Sequence, residues 1–382
     1  MKILHISNYF YPHIGGIEQT ARDIIDSIGN SAEQKLICFN HDKGNVTETT
    51  GNVEIIRAGC FAKVSSQSLS LSFGKKLKKL VKEFKPEIIV FHYPNPFQAH
   101  YLLKVIRKCN CRLIIWWHLD IIKQKILGKF FSGQSQKLLE RADRIVATSP
   151  NYVEGSKFLT AFSNKVTVIP SCIDELRLSF GENEIKRAEQ IKSQYSDKIL
   201  CFAFGRHVPY KGYDKLVEAA TFFDDNVKLF IGGSGPLTEA LKKQALGNEK
   251  VEFTGRLDDS ELKAYLIACD IFCFPSVTKN EAFGLALAEA MYFGKPAVTF
   301  TINGSGVNYV SLGGITGIEV PNSDALKYAE AVNKLAEDEE LRKAYGEKAK
   351  YRAEECFLKK TFSEKVTKLI SEVGGEENEN SD

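Results

Sequence analysis

Short apolar runs alternate with amphipathic helical stretches along nearly the whole chain, and this alternation lapses only once. In the first half "KILHIS", "QKLICFN", "VEIIRA", "EIIVFHY", "RLIIWWH", "DRIVATS" and "KVTVIP" read as strands with helical patterns between many of them. Such βαβ alternation makes parallel sheets covered on both faces. From about Ser171 to Asp197 the chain turns polar and charged, with no strand-like run. Alternation then restarts with "ILCFAFGR" and continues through "VKLFIGG", "VEFTGR", "DIFCFPS", "KPAVTF" and "TGIEV", with helices expected at about 213–223, 236–246, 260–268 and 284–293. A length of 382 residues also exceeds one ordinary core. The pattern predicts an α/β chain of two facing Rossmann-like, doubly wound domains. Residues 1–175 form the first, 176–196 a linker and 197–357 the second, while a helix over 358–374 packs back on the first domain. Ligands of such sheets lie beyond the carboxyl ends of the strands, so a substrate is expected in the cleft between the domains.

Composition narrows the function. Apolar residues at 43% and charged residues at 26% suit a globular protein with real cores. A net charge of +3, without an Arg-rich or aromatic-interleaved stretch, argues against nucleic acid as a partner. The nine cysteines form no CxxC, and Cys38, Cys201, Cys269 and Cys273 fall in or beside apolar runs, as buried free thiols of a reducing compartment do. The N-terminal "MKILHISNYF" has no signal-peptide pattern, no run is long enough to span a membrane, and the tail from Gly374 reads as disordered. No HxxxH, HExxH or DxD is present to hold a metal, and no cofactor is expected.

The stretch "KNEAFGLALAEA" carries Glu281 and Glu289. On one helix, positions eight apart are separated by about 12 Å and about 80°, too far for a pair of carboxylates sharing one reaction, which sit about 5 to 9.5 Å apart. A helix starting near Phe283 and Gly284 instead leaves Glu281 in the loop and Glu289 one and a half turns in. Its unpaired amides suit phosphate. Glu289 could then take the hydroxyls of a ribose and Glu281 whatever lies beyond the phosphates. Taken alone, the two acids are equally a solvated helix residue and an ordinary loop acid.

Neighbouring loops favour the first reading. "GRHVPYKG" places Gly205, Arg206 and Lys211 after one strand, and two cations around a loop suit a diphosphate. "IGGSGPL" puts Gly233, Ser234 and Gly235 after the next, and "TGRL" puts Gly255, Arg256 and Leu257 after the third. In the first half, "YPHIGGIE" sets Gly15 and Gly16 at a helix start, and "IIWWHLD" ends a strand at His118. A lone His after a strand is more often structural, but this one lies at a carboxyl end.

Taken together, "GGIE", "WHLD", "ATSPNY", "GRHVPYKG", "GGSGP", "TGRLDDSEL" and "NEAFGLALAEAM" resemble a GT-B glycosyltransferase of the retaining GT4 family over nearly the whole chain. The "HYPNP", "ATSPNY" and "GSGVNYV" segments are most similar to O-antigen and exopolysaccharide transferases, several of them mannosyltransferases. The resemblance implies that Glu289 holds the ribose, and that Glu281, with the backbone around Ala282, Phe283, Gly284 and Leu285, holds the donor sugar and phosphates. Arg206 and Lys211 neutralise the leaving diphosphate and the Gly15–Gly16 turn closes over it. His118 contacts the donor sugar, and Arg256–Leu257 borders the base. One departure is "NGSGVNYV" where many relatives carry a Pro-Glu pair.

The expected reaction is metal-independent, retaining transfer of a hexose, mannose favoured, from a GDP- or UDP-sugar donor to a saccharide or polyprenyl-diphosphate-linked acceptor. Around the apolar stripe of "FGKKLKKLVKEFK" (73–85) stand six lysines. With "IIKQKILGKFF" (121–131), they suggest peripheral contact with an anionic membrane and a place on the cytoplasmic face. The stripe is equally explained by packing on the sheet. A nucleotide-sugar 2-epimerase and a non-catalytic nucleotide-sugar-binding protein are the competing readings.

Overall fold

A computed structural model of the chain describes residues 1–12, 15–64, 67–120 and 127–375. The chain divides into two compact units, Met1–Ser171 with Lys360–Asp382, and Cys172–Lys359.

The first unit carries ten strands: β1 (Lys2–Ile6), β2 (Glu33–Phe39), β3 (Val46–Thr50), β4 (Val53–Ala58), β5 (Ala62–Val64), β6 (Gln67–Leu69), β7 (Ile88–Tyr93), β8 (Arg112–Trp117), β9 (Arg144–Ala147) and β10 (Val166–Val168). Eight of them make one sheet in the order β10-β9-β8-β7-β1-β2-β4-β3, and β5 pairs with β6 as a hairpin. All pairings in the large sheet are parallel except β3 with β4. The central strands are buried on both faces, which is why they read as unbroken apolar runs rather than as alternation. Strand order reverses between β1 and β7, so the carboxyl ends of these strands flank a topological switch point. The helix Lys359–Gly374 belongs to this unit from Lys360 onward, and its Phe362 ring lies 6.0 Å from that of Trp116.

The second unit carries β11 (Ile199–Phe204), β12 (Val227–Gly232), β13 (Val251–Gly255), β14 (Ile271–Phe274), β15 (Ala297–Phe300) and β16 (Gly317–Val320), all parallel, in the order β13-β12-β11-β14-β15-β16. This is the dinucleotide-fold order, with its switch point between β11 and β14. The four expected helices appear as Tyr213–Ala219 with a further 3-10 turn, Thr238–Gln244, Asp259–Ala268 and Leu285–Tyr292.

Three local features depart from the sequence reading. The edge strand β3 is exposed along its length and joins β4 through a tight turn at Gly51–Asn52, Gly51 having φ 59°; a Gly-Asn pair between two strand-like runs is the hairpin signal that announces it. The β5–β6 hairpin carries strands too short to stand out. The segment 176–196, expected as a linker, instead holds the end of the helix Glu175–Leu178 and the whole of Glu182–Gln194, whose Ala188 and Ile191 are buried in the core of the second unit. Its polar composition reflects a helix with one narrow apolar stripe, which is a surface helix and not an unstructured link. Of the basic stretch 121–131, residues 121–126 lie outside the described residues, as do residues 376–382 of the tail.

Two helical glycines make a test of this packing. Gly133, in Leu127–Arg141, has open space where a Cβ would project, whereas a Cβ on Gly346, in Glu339–Cys356, would fall 2.3 Å from the carbonyl oxygen of Gly294. Gly133→Ala is expected to stabilise the protein by about 0.5–1 kcal/mol. Gly346→Ala is expected to cost about 1–3 kcal/mol despite the same gain in helix propensity. Urea denaturation of the two variants should therefore move in opposite directions.

Candidate active site

In the second unit, the loops after β11 and β14 meet at the switch point. Gly212, with φ 65°, lies where a Cβ would approach the Pro275 carbonyl oxygen to 2.1 Å, and the Val277 amide donates to the Tyr210 carbonyl at 3.0 Å. This close approach brings Lys211 from the first loop to Glu281 on the second, where Nζ and Oε2 form an ion pair with the side chains only 15% and 11% exposed. The Phe274 ring lies under the ammonium, 5.1 Å from Nζ to the ring centroid. Ser276 Oγ donates to Glu281 Oε2 at 3.2 Å. Burial works against charge on Lys211, but the Glu281 carboxylate outweighs it and raises the ammonium above its ordinary value.

The segment "NGSGVNYV" pins this acid from behind. Ser305 Oγ donates to the Glu281 carbonyl, and the Gly306 amide donates to the Ala282 carbonyl at 3.1 Å. Gly284 caps the helix Leu285–Tyr292 with φ 99°, where a Cβ would also press on the Phe274 ring at 3.2 Å. Only glycine accepts both constraints. Phe283 points into the core against Phe357, so its ring is part of the packing of the second unit.

Beside this pair lies a cavity of about 480 Å³ lined by Phe204, Gly205, Arg206, Gly233, Ser234, Gly235, Pro236, Arg256, Leu257 and Leu262. Seven of the predicted donor-side residues therefore share one cavity. Arg206 and Arg256 are exposed and make no ion pair among the described residues. A Cβ on Gly205 would sit 4.0 Å from Lys211 Cε, so the ion pair adjoins the cavity wall. The glycines of these loops have a structural reason first: a Cβ on Gly233 would stand 2.0 Å from the Gly205 carbonyl oxygen, and one on Gly235 would stand 2.4 Å from that of His207. The Gly233 amide donates to the Gly255 carbonyl at 2.6 Å and the His207 amide to that of Ser234 at 3.1 Å, so three successive strand ends are stitched backbone to backbone.

Glu289 is not on that cavity wall. Its Oε1 is taken by Arg177 Nη2, while Arg177 Nη1 donates to Asp259 Oδ1 at 3.0 Å. Burial pushes the Glu289 carboxyl above its ordinary value and the Arg177 guanidinium pulls it back. Nothing in the sequence pointed to Arg177, an arginine in the segment read as linker, because its partner is 112 positions away.

In the first unit, Gly16 opens the helix Gly16–Ile28 at the carboxyl end of β1, with Gly15 as its N-cap. The helix mouth is partly occupied by its own chain, since a Cβ on Gly15 would stand 2.4 Å from Glu18 Oε2. His118 follows β8 and is 7% exposed, with Nε2 3.0 Å from Nδ1 of His92. Burial pushes the His118 imidazole down to about 3, so it is neutral at physiological pH. His92 was legible only as part of a strand.

All nine cysteines are free, and Cys38, Cys201, Cys269 and Cys273 are buried.

Removing one member of the Lys211–Glu281 pair strands the other charge. Lys211→Ala is therefore expected to destabilise the second unit by about 3–5 kcal/mol. Lys211→Met combined with Glu281→Gln, which leaves no buried charge, should recover more than half of that loss in urea denaturation.

Against proteins of known sequence and structure, the chain matches two family models, described as "Glycosyltransferase Family 4" over residues 14–177 and "Glycosyl transferases group 1" over residues 184–352. An O-antigen chain mannosyltransferase C of Escherichia coli is 29% identical over 361 residues, covering 94% of each chain. The D-rhamnosyltransferase WbpZ of Pseudomonas aeruginosa is 30% identical over 361 residues, covering 94% of this chain and 92% of its own. A sucrose-phosphate synthase from Thermosynechococcus elongatus has the same fold, with a TM-score of 0.80 at 19% identity, covering 98% of this chain and 99% of the other.

Proposed function

The chain belongs to glycosyltransferase family 4 and has the GT-B fold, and we propose that it is a retaining, metal-independent hexosyltransferase that uses a nucleoside-diphosphate sugar in surface polysaccharide synthesis. The observation that carries this reading is the Lys211–Glu281 pair at the switch point, beside a cavity holding two arginines that make no ion pair among the described residues. Relatives named for mannose and D-rhamnose, itself a deoxymannose, favour a manno-configured sugar. The acceptor is a saccharide, free or linked to polyprenyl diphosphate.

In this reading Phe204, Leu257 and Leu262 supply apolar walls for the base, while Arg206 and Arg256 meet the diphosphate. Glu289, oriented by Arg177, holds the ribose. Glu281 accepts from donor-sugar hydroxyls, and its pairing keeps Lys211 charged and aimed at the leaving oxygen. His118 and the Gly15–Gly16 turn contact the donor sugar and phosphates. As the anomeric carbon becomes oxocarbenium-like, negative charge grows on the leaving diphosphate, and groups fixed in place beforehand stabilise that charge more than they stabilise the ground state. Each positioned donor contributes about 3–4 kcal/mol in a dry site, so Lys211, the arginines and the amides of Gly284 and Leu285 can lower the barrier without a metal. Retention follows if the leaving phosphate takes the acceptor proton on the face it departs from.

Thermal unfolding in excess EDTA with millimolar UDP, GDP or ADP tests the donor site. A nucleotide at about 100 times its dissociation constant stabilises by about 2.7 kcal/mol, and an upward shift with one of them is expected. No shift with any nucleotide removes the metal-free diphosphate site from the proposal. Glu281→Gln, which keeps the shape of the side chain but leaves the Lys211 ammonium without its counter-charge, should lower turnover by about 100-fold or more when assayed at a temperature where circular dichroism shows the variant folded; near-normal turnover in that variant takes Glu281 out of the reaction.

Peripheral contact with the cytoplasmic membrane face is supported by how the lysines are sorted. Lys75, Lys78, Lys82 and Lys85 turn to one side of the helix Phe73–Phe84, where with Lys104 and Lys108 they line a groove of about 830 Å³ that also holds Val81, Tyr101 and Val105. Lys79 turns instead toward Glu83, at 3.9 Å. No helix among the described residues is long and apolar enough to cross a membrane. Each juxtamembrane lysine contributes about 1 kcal/mol on an anionic surface, so neutralising Lys75, Lys78 and Lys82 should weaken sedimentation with phosphatidylglycerol vesicles about 100-fold. Undiminished binding by that triple variant would dismiss the groove as a membrane contact.

A further inference from the structure

His92 lies on β7 in register with Trp116 of β8, and its ring is stacked on that of His118, centroids 5.3 Å apart. The 3.0 Å contact between His92 Nδ1 and His118 Nε2 holds a single proton, and the surroundings decide which ring owns it. On β1, His5 Nε2 is 3.0 Å from Gln34 Oε1, while the Gln34 amide nitrogen donates to the carbonyls of Ile25 at 3.1 Å and Gly29 at 2.9 Å. Gln34 Oε1 is thus the acceptor, His5 carries its proton on Nε2, and His5 Nδ1 is a bare lone pair. Three ring nitrogens here are buried without a partner among the described residues: His5 Nδ1, His92 Nε2 and Trp116 Nε1. The indole nitrogen is necessarily an N–H. A proton on His92 Nε2 would add a second buried N–H with no acceptor, which folded proteins rarely tolerate. A proton on His92 Nδ1 leaves only a lone pair there and points the N–H at His118.

We propose that His92 is a positioning residue that fixes His118 in the tautomer with a bare Nε2 and a protonated Nδ1, so that His118 meets the substrate as a neutral hydrogen-bond donor. The proposal rests on the reading of His118 as a donor-sugar contact. A neutral N–H donor suits an electron-rich hydroxyl or phosphate oxygen, whereas the other tautomer would serve only an O–H. Burial keeps both rings uncharged, pushing His118 down to about 3 and His92 well below the usual imidazole range, with the neighbouring His118 and His5 adding to the effect on His92. An imidazole held in one tautomer by a second group is a familiar device in catalysis, and loss of the orienting group costs activity through the wrong tautomer.

The tautomer is read directly from long-range 1H–15N correlations of the full chain labelled with 15N-histidine, with no substitution needed. The expected spectrum shows His118 protonated at Nδ1 and bare at Nε2, unchanged between pH 5.5 and 8; a His118 protonated at Nε2 overturns the proposal. Two variants then connect the tautomer to turnover. His92→Asn keeps an amide donor near the place of Nδ1 and should retain most of the activity, whereas His92→Leu should lower kcat about tenfold to 100-fold with little change in the donor KM. In a His118→Ala background, His92→Leu should cost nothing further. If the spectrum is as expected but turnover ignores His92→Leu, the donor-sugar role of His118 fails and the positioning role fails with it, while the nucleotide-induced stabilisation stays in force. Equal losses in His92→Asn and His92→Leu, persisting in the His118→Ala background, would mark His92 as a packing residue and sink the proposal.

Discussion

A buried lysine and glutamate in contact impose the tightest constraint on the second unit. Taking two charges out of water is repaid only when their geometry and remaining hydrogen bonds are good, and the parts around Lys211 and Glu281 meet that demand. The Phe274 ring underlies the ammonium, Ser276 fills a carboxylate lone pair, and Ser305 and Gly306 fix the backbone behind the acid. Gly212 and Gly284 take left-handed conformations to let those parts converge. Replacing the pair by apolar residues of similar volume is often neutral or stabilising in proteins. A costly, fully supported ion pair at the carboxyl edge of a parallel sheet is therefore weak evidence of a stabilising role, which agrees with its place in the proposed donor site.

The same loops show why glycine motifs carry less information than they seem to. Gly205, Gly233 and Gly235 touch a cavity with two arginines, yet neighbouring strand-end backbones come so close that a Cβ at Gly233 or Gly235 would strike a carbonyl oxygen. Close packing of successive βα loops and approach of a phosphate both require glycine. The arginines separate the two explanations: Arg206 and Arg256 are exposed and unpaired among the described residues, whereas Lys211 is neutralised within the fold. A dianion entering the cavity would find two exposed guanidinium forks, with the Lys211–Glu281 pair held in place beside the cavity wall.

How much of this was legible in the sequence follows from the range of the forces involved. The parallel strands of both sheets were readable because burial on both faces leaves uninterrupted apolar runs such as "EIIVFHY" and "ILCFAF". The positions of Arg206, Lys211 and Glu281 were readable because strand, loop and residue are consecutive in the chain. The exposed edge strand β3 was missed because none of its side chains is buried, although the Gly51–Asn52 turn announced it. The helix Glu182–Gln194 was missed because Ala188 and Ile191 are its only buried residues. Arg177 and His92 were invisible as functional candidates for another reason: their partners Glu289 and His118 are 112 and 26 positions away, and no local pattern encodes a contact made by tertiary packing.

These two residues also do the same thing, each in its own unit: each stands behind a residue that the family pattern marks. Glu289 and His118 lie at places the family pattern marks, while Arg177 and His92 lie in segments that read as a linker and a core strand. Each takes one polar atom of the residue in front of it, Oε1 of Glu289 and Nε2 of His118, and leaves that residue's other polar atom without the same partner. In the proposed reading the ligand contacts of Glu289 and His118 therefore depend on an arginine and an imidazole brought up by tertiary packing, which no local motif records.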